Sequence, residues 1–527
     1  MNYYFNNIIK KYNDNYYRID LRDSNLTDEN IYEITNLIKN INSFQVLKIG
    51  NKKDSKISDK YTYQLYMTTA EIDEQYQHNI ENKITMNGYN HLFECLKYNN
   101  TIHTLKIYYY SSNYLNINLD SFIEKLSEML LINKSIVNLT LTLEYLNFSR
   151  KAFIKLCNAL KNHNIFYSLL FHISNSQLNE DDYNIFIDAL QNQKYLSNLS
   201  LHLTERFYNN DKIIELVNNL KYIYKLNIVL PYNDTFIDNI FNVLENIDNI
   251  FNVLENKQYL TKLVILIHNS NNVNSLSKLL NINKNITYLE LSDRLSSDNI
   301  INNTFKQSII NSNLQTLKLK FCNIQINDII DIIQNNNTIN NLNISFNHIC
   351  NFKSLFDKLK TNTNITNLNI SNNIIYEISD LISLKELIEN NTCITKINLS
   401  NCLVEEEDIY DSKYNSAYLE IFNSLTLNNT IDTLKISHLT ESKNISNEFI
   451  DKLTNFIKNN KSVNKLILQE NNLYTTYYVN NRDRVNFLNI RLLTNEQYNK
   501  IINSLNYNNN LVCFEWNELT YKEHFIM

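Results

Sequence analysis

Apolar residues recur in a fixed pattern, most clearly in three segments: 338–349 (TINNLNISFNHI), 364–375 (NITNLNISNNII) and 393–404 (CITKINLSNCLV). Counted from Ile339 in the first segment, positions 1, 4, 6 and 11 are apolar and position 9 is Asn347. The alternation around positions 4 to 6 predicts a short strand. The Asn or Cys at position 9 predicts a turn whose side chain satisfies backbone groups inside the loop.

The pattern covers nearly the whole chain, at a spacing near ~28 residues. We place position 1 of sixteen repeats at Tyr16, Phe44, Ile102, Ile136, Phe166, Leu196, Ile223, Leu260, Ile286, Leu314, Ile339, Ile365, Ile394, Ile431, Val463 and Leu511. Between the strands, apolar residues follow helical spacing, as in 26–40 (LTDENIYEITNLIKN), where Thr27 and Asp28 can cap a helix. The sequence therefore predicts an α/β solenoid of alternating strands and helices.

This pattern resembles that of the leucine-rich-repeat family, L-x-x-L-x-L-x-x-N/C-x-L, and the full helix in each unit resembles the ribonuclease-inhibitor-like subtype. The resemblance implies a curved horseshoe, with parallel strands on the concave face and helices on the convex face. It also implies a binding function, because that subtype includes ribonuclease inhibitors, Ran GTPase activators and the sensor ends of innate-immune receptors.

The expected organisation is an N-terminal capping helix over 1–15 and a solenoid of about 16 repeats over 16–527. Insertions are expected at 51–83, 247–256 and 474–487. The second of these follows from a duplication, because IDNIFNVLEN occurs at 237–246 and again at 247–256. We expect the duplication to produce a protruding hairpin or a long helix. The middle repeats should be less regular, because six of them lack Asn or Cys at position 9.

The composition argues against several classes of protein. The 2 glycines and 1 proline exclude a Gly-rich phosphate-binding loop, and no H-E-x-x-H or G-x-S-x-G motif occurs. We therefore expect no catalytic residues, cofactor or metal. A net charge of -6 argues against a nucleic-acid partner. No apolar stretch is long enough to span a membrane, and seven scattered cysteines without C-x-x-C spacing favour a cytoplasmic protein. The richness in Asn, Ile, Tyr and Lys is typical of an AT-rich genome.

The predicted binding surface lies at strand positions 2, 3, 5, 7 and 8, which the pattern leaves exposed. Repeats 9–14 are polar at position 5, whereas repeats 3–8 carry aromatic and aliphatic residues there and nearby: Tyr108, Tyr109, Leu170, Val229, Val264 and Leu266. Such an apolar patch with a polar rim is typical of a partner site. The alternative is that the register in repeats 3–8 is uncertain and that some of these residues are buried rather than exposed. A second candidate surface is the Tyr-rich insertion at 474–487.

The preferred hypothesis is a non-enzymatic scaffold that binds a protein partner on its concave face. Two alternatives stay open: a regulator of a partner enzyme in trans, of the GTPase-activator kind, and a substrate adaptor of a ubiquitin ligase. The last is weakened because only 15 residues precede the first repeat. The sequence identifies neither the partner nor the oligomeric state.

Overall fold

In the computed structural model, the chain divides into two compact units, Met1–Val264 (unit 1) and Ile265–Met527 (unit 2). The structure describes residues 9–13, 16–21, 26–41, 44–50, 84–109, 118–143, 146–173, 178–202, 210–229, 250–267, 273–293, 299–375, 377–400, 402, 412–438, 447–470, 494–507, 511, 513–516 and 519–522.

Unit 1 alternates strands and helices. Its strands are β1 (Ile9–Asn13), β2 (Tyr16–Asp20), β3 (Phe44–Gly50), β4 (Thr104–Tyr109), β5 (Asn138–Leu143), β6 (Ser168–Ile173), β7 (Asn198–His202), β8 (Lys225–Val229) and β9 (Lys262–Ile267), which begins at the end of the unit. Its helices are α1 (Asp28–Asn40), α2 (Met86–Lys97), α3 (Leu119–Ile132), α4 (Arg150–Asn162), α5 (Glu180–Gln191) and α6 (Asn210–Asn219). Strands β2 to β8 pair in parallel in chain order.

Unit 2 repeats the scheme. Its further strands are β10 (Tyr288–Asp293), β11 (Thr316–Lys320), β12 (Asn341–Asn343), β13 (Asn367–Asn369), β14 (Lys396–Leu399), β15 (Thr433–His438), β16 (Lys465–Glu470), β17 (Cys513–Trp516) and β18 (Leu519–Lys522). Its helices are α7 (Val273–Ile282), α8 (Asn303–Ile310), α9 (Ile326–Asn335), α10 (Lys353–Leu359), α11 (Ile378–Asn390), α12 (Ser412–Leu427), α13 (Asn447–Asn459) and α14 (Asn495–Tyr507). Strands β10 to β17 are parallel, and β18 pairs antiparallel with β17.

The helices of each unit cover one face of its sheet. Successive strands are added in one direction, and right-handed crossovers then place every connecting helix on the same side. Burial along β4 follows this arrangement: Leu105 and Ile107 are buried, whereas Thr104, Lys106 and Tyr108 are half-buried. We call the half-buried side, formed by positions 3, 5 and 7 of each repeat, the strand face. The prediction of an α/β repeat solenoid is confirmed.

The strand register agrees with the predicted repeat alignment. In unit 1, position 5 of one strand pairs with position 5 of the next from Asp20 through Lys48, Lys106, Thr140, Leu170 and Ser200 to Asn227. In unit 2 the same holds from Glu290 through Lys318, Asn343, Asn369, Asn398, Lys435 and Ile467 to Glu515. The alternative of a shifted register is therefore wrong for repeats 5 to 7.

The prediction of a capping helix over 1–15 is wrong for its described part. Residues Ile9–Asn13 form strand β1, which pairs antiparallel with β2. The physical reason is that the first parallel strand would otherwise leave a row of unpaired backbone groups at the sheet edge. An added strand satisfies these groups directly, as β18 does at the other end of unit 2.

Of the three predicted insertions, 51–83 and 474–487 lie outside the described residues. Residues 247–256 are only partly described. Within them, 250–254 are helical, and Ile250, Phe251 and Leu254 are buried. This second copy of the duplicated decapeptide thus contributes to the packed core of its repeat, whereas the first copy, 237–246, lies outside the described residues.

Asparagine at position 9 performs the predicted loop function in unit 2. The Asn347 amide donates to the carbonyl oxygens of Leu319 (2.8 Å) and Ile344 (2.8 Å), and its Oδ1 accepts from the backbone N–H of Cys322 (2.7 Å). Asn373 repeats these contacts one unit further along. Where Cys replaces Asn, as at Cys402, the buried Sγ lies 3.4 Å from the carbonyl oxygen of Ile370.

A second asparagine ladder, which the sequence reasoning did not identify, lies three residues before position 1. Asn391 is its clearest member: its amide donates to the carbonyl oxygens of Leu359 (2.7 Å) and Asn362 (3.0 Å), and its Oδ1 accepts from the N–H groups of Cys393 (2.8 Å) and Ile394 (2.7 Å). Asn133, Asn336 and Asn428 make equivalent contacts. These side chains join the end of one helix to the start of the next strand, across two repeats.

Candidate partner-binding surface

Three of the predicted binding residues lie on the strand face of unit 1, and the structure describes their side chains. Leu170, in strand β6, is position 5 of repeat 5; it is half-buried and lies between Thr140 of β5 and Ser200 of β7. Tyr108, in strand β4, is position 7 of repeat 3; it is half-buried and lies beside Thr142 of β5. Val264, in β9, is also half-buried. The sequence thus placed these three correctly on the solvent-accessible side of the strands.

Tyr109 was expected on the same face, and this is wrong. Its side chain is 2% exposed, donates a hydrogen bond to the Tyr89 hydroxyl, and packs edge-on against Phe122 with ring centroids 5.5 Å apart. The reason is that β4 continues in regular alternation to its last residue, which turns position 8 toward the helices. Burial raises the pKa of Tyr89 to about 12 and that of Tyr109 well above its usual value.

The other two predicted residues, Val229 and Leu266, belong to strands β8 and β9. Their side chains lie outside the described part of the structure. Their place on the binding surface stays a prediction, as does that of Tyr474, Tyr477 and Tyr478, which fall in the undescribed segment 471–493.

A polar cluster beside Leu170 was not identified from the sequence. The rings of His172 and His202, both at position 7, lie 4.8 Å apart between centroids. Asn227, at position 5 of the next strand, donates through Nδ2 to the Ser200 hydroxyl at 2.8 Å and contacts Nε2 of His202 at 3.4 Å. The signal was present in the sequence, because His172 and His202 occupy the same repeat position, but only position 5 was compared between repeats. The unit 1 strand face therefore combines Leu170 and Tyr108 with hydrogen-bonding neighbours.

The strand face of unit 2 begins with an ion cluster. Lys320 and Lys318 lie 2.9 Å and 3.4 Å from the carboxylate of Glu290, and the Tyr288 hydroxyl donates to it at 2.5 Å. Burial alone would raise the pKa of Glu290, but the two lysine charges and the hydrogen bonds outweigh it and hold that pKa at about 2. Burial and the bond to Glu290 raise the pKa of Tyr288. Two lysines and one carboxylate leave this cluster with a net charge of +1.

Further along unit 2, the predicted polar column is confirmed, but its side chains serve the fold. Asn343, Asn369 and Asn398 each accept a hydrogen bond from the backbone N–H two residues later, at 3.0, 3.0 and 3.1 Å. Such side-chain turns end the strand and start the loop. Their acceptors are therefore already occupied, which leaves the unit 1 strand face as the better candidate for partner recognition.

Within the described ranges, no group of three or more His, Cys, Asp or Glu side chains is arranged to hold a metal ion. None of the helices described here has the length and apolar character needed to cross a membrane.

Comparison with known proteins adds no family assignment. No protein-family model matches the chain, and no curated protein matches it at a significant level.

Proposed function

We propose that the chain is a leucine-rich-repeat protein of the ribonuclease-inhibitor-like subtype, and that it is a non-enzymatic cytoplasmic scaffold that binds a protein partner. Three features support the family assignment: short parallel strands, a helix in each fully described repeat, and the Asn or Cys contacts at position 9. The six cysteines whose environment is described are free thiols, which supports a reducing compartment.

The observation that carries the binding proposal is the accessible strand face of unit 1. Parallel sheets are normally covered by helices on both faces, but in this unit several residues at positions 3, 5 and 7, among them Lys106, Tyr108, Thr140 and Leu170, stay partly accessible while the opposite face is buried. Leu170 and Tyr108 provide apolar contact area, and Thr140, Ser200 and His172 surround them with hydrogen-bonding groups. Apolar anchors within a polar rim are the usual composition of a protein-binding surface.

The test is affinity purification of the tagged full-length protein from its native cells, comparing wild type with Leu170→Asp/Val264→Asp. The matched control is Leu131→Asp/Ile132→Asp, which places the same charges at two exposed aliphatic residues of helix α3. A thermal melt verifies that both variants fold. Loss of a co-purifying protein from the strand-face variant alone supports the proposal. Equal recovery with both variants, or loss with the helix variant only, contradicts it.

A further inference from the structure

A second surface of unit 1 carries an unusual set of exposed aromatic side chains. Each repeat enters its strand through a loop in which position 1 is buried, and positions 0 and 2, on either side, point outward except at the buried Ser197. In repeats 5 to 8 these outward positions hold five tyrosines, each between 45% and 60% exposed: Tyr167, Tyr195, Tyr222, Tyr224 and Tyr259. We call this set the tyrosine edge.

The tyrosine edge is continuous. Position 2 of each repeat hydrogen-bonds to position 2 of its neighbour: Ser197 N donates to the Tyr167 carbonyl at 3.0 Å, and Tyr224 N to the Ser197 carbonyl at 2.8 Å. Thr261 N then donates to the Tyr224 carbonyl at 3.0 Å. At position 0, the rings of Tyr222 and Tyr259 lie 5.9 Å apart between centroids. Four adjacent repeats thus each present at least one partly exposed tyrosine, and the rings of Tyr222 and Tyr259 lie against each other.

The repeat itself does not require tyrosine at these positions. In repeats 9 to 15 of unit 2, the same two positions hold Asn285, Thr287, Asn313, Gln315, Thr338, Asn340, Asn364, Thr366, Cys393, Thr395, Thr430, Asp432, Ser462 and Asn464, none of them aromatic. The chain contains 36 tyrosines in 527 residues, so random placement would put fewer than one in the eight outward positions of repeats 5 to 8. Neither the fold nor the overall tyrosine content accounts for the row.

The charged residues within the four strand-entry segments that carry the tyrosine edge are all positive. The strand-entry segments 163–168, 192–198, 219–226 and 256–262 contain no Asp or Glu. Lys194 and Lys221 lie exposed on the helix side of the tyrosines, and Lys225 and Lys262 lie half-buried on the strand side. The C-terminal ends of the helices carry partial negative charge, but it does not fully cancel these lysine charges, because carbonyl groups at the helix ends already accept hydrogen bonds. In helix α4, for example, the Leu160 carbonyl accepts from the Gln193 side-chain amide at 2.7 Å. Lys257 serves the same structural purpose, donating to Asn218 O at 2.9 Å and Leu220 O at 3.2 Å.

Aromatic rings interleaved with lysines fit two kinds of anionic polymer, and the ring geometry separates them. A nucleic-acid base inserted between two rings needs about twice the ~3.4 Å stacking distance, more than the 5.9 Å between the centroids of Tyr222 and Tyr259. The Lys221 ammonium group also lies 5.2 Å from the centroid of the Tyr222 ring, over its face. Both observations disfavour insertion of a base between Tyr222 and Tyr259. Neither hinders aliphatic side chains, which pack against ring edges as well as faces.

We propose that the tyrosine edge binds an extended acidic segment of a partner protein, with apolar side chains packed among the tyrosine rings and carboxylates directed to the lysines on both flanks. Four strands at ~4.8 Å spacing give a row about 15 Å long. An extended chain covers that length with four to five residues at ~3.3 Å each. The site adjoins the strand face at Lys225 and Lys262, which are position 3 of their repeats, but its tyrosines lie outside that face, so substitution of the tyrosines tests this site alone.

The test uses three fluorescein-labelled probes with the full-length protein, measured by fluorescence anisotropy: a ten-residue peptide of alternating Glu and Leu, the corresponding Lys and Leu peptide, and a single-stranded oligothymidine. The main variant is Tyr195→Ser/Tyr222→Ser/Tyr259→Ser. The control is Tyr98→Ser, at a tyrosine that is 78% exposed but lies outside the row. A thermal melt verifies that both variants fold.

The proposal predicts that the Glu–Leu peptide binds best. The triple variant should weaken that binding at least about tenfold, Tyr98→Ser should leave it unchanged, and higher salt should weaken it several-fold. Four results would overturn the proposal: no binding of the acidic peptide at about 1 mM, equal binding of the basic peptide, equal binding to the triple variant, or tighter binding of the oligothymidine that the triple variant abolishes.

Discussion

The ladder of buried asparagines between helix and strand makes a sharp prediction, because the chain supplies a control at the next residue. Asn391 is buried and makes four hydrogen bonds to backbone groups, whereas Asn390 is exposed and makes one, from its amide to the Glu386 carbonyl. Both are replaced by alanine. The two variants have the same composition and lie one residue apart, but Asn390 is the last residue of helix α11 and is exposed, whereas Asn391 is the buried residue that follows it.

The size of the stability loss follows from the backbone groups that Asn391→Ala leaves without hydrogen-bond partners. Asn391→Ala removes the partner of two backbone N–H groups, the part-buried one of Cys393 and the buried one of Ile394, and of two carbonyl oxygens, those of Leu359 and Asn362. At about 1 kcal/mol for each lost bond, the free energy of unfolding should fall by about 3 to 4 kcal/mol. Asn390→Ala should change it by less than about 0.5 kcal/mol, since the loss of one exposed bond is offset by the higher helix propensity of alanine.

The assay is urea unfolding followed by circular dichroism, combined with hydrogen exchange of the individual amides. In Asn391→Ala, the amides of Cys393 and Ile394 should exchange faster than in wild type, and in Asn390→Ala they should not. If the two variants are equally stable and their exchange at these two amides is the same, the ladder does not hold adjacent repeats together and the reasoning is refuted.

Three further predictions concern single sites. Gly88→Ala should destabilise the protein by about 1 to 2 kcal/mol despite the better helix propensity of alanine, because the new Cβ would lie within 3.0 Å of both Asp28 Oδ1 and Ile84 Cγ2. Urea unfolding should show a smaller destabilisation when Gly88→Ala is made in an Asp28→Ala background. A destabilisation of the same size in that background would contradict the steric cause. Glu290→Gln should lower the free energy of unfolding by about 3 kcal/mol at neutral pH. Folding lowers the pKa of Glu290 from 4.5 to about 2, so the stabilisation by its carboxylate is present above pH 4.5 and is lost as the pH falls toward 2. The stability difference between wild type and variant should therefore shrink between pH 4.5 and pH 2 and stay constant above pH 4.5. Of the cysteines with a described environment, the exposed Cys350 should react first with a maleimide, whereas Cys157 and Cys402, whose pKa values burial raises, should react only on unfolding; early labelling of Cys402, counted by mass spectrometry of the native protein, would contradict its position in the core.

The repeat alignment was predictable because one short pattern, repeated many times, fixes the strand register. Position 5 pairs with position 5 even at Leu170, where the local sequence is least regular. Tyr109 was misplaced because the pattern does not tell how far each strand continues: in β4 the alternation reaches position 8 and buries it, whereas in β12 the strand ends at position 5. Strand length depends on the loop that follows, and the loops vary most between repeats.

The asparagine ladder and the tyrosine edge were not predicted because the chain is rich in asparagine and tyrosine throughout. The ladder that contains Asn391 is visible in the sequence as an asparagine three residues before position 1, but in an asparagine-rich chain that spacing does not stand out. The tyrosine edge was overlooked for the same reason, since its members flank a buried residue in a tyrosine-rich chain. Backbone conformation was also hidden: Phe321 and Phe346 have φ values of 55° and 61°, a left-handed region that a sequence would assign to Asn or Gly.

The central claim, that the strand face of unit 1 recognises a protein partner, is tested most directly by photo-crosslinking in the native cell. Benzoylphenylalanine is introduced in place of Leu170 in one protein and in place of Leu131, on helix α3, in another. The account predicts a discrete crosslinked product from position 170 that contains a second protein, and none from position 131. A product from position 131 alone, or from neither position, would contradict it.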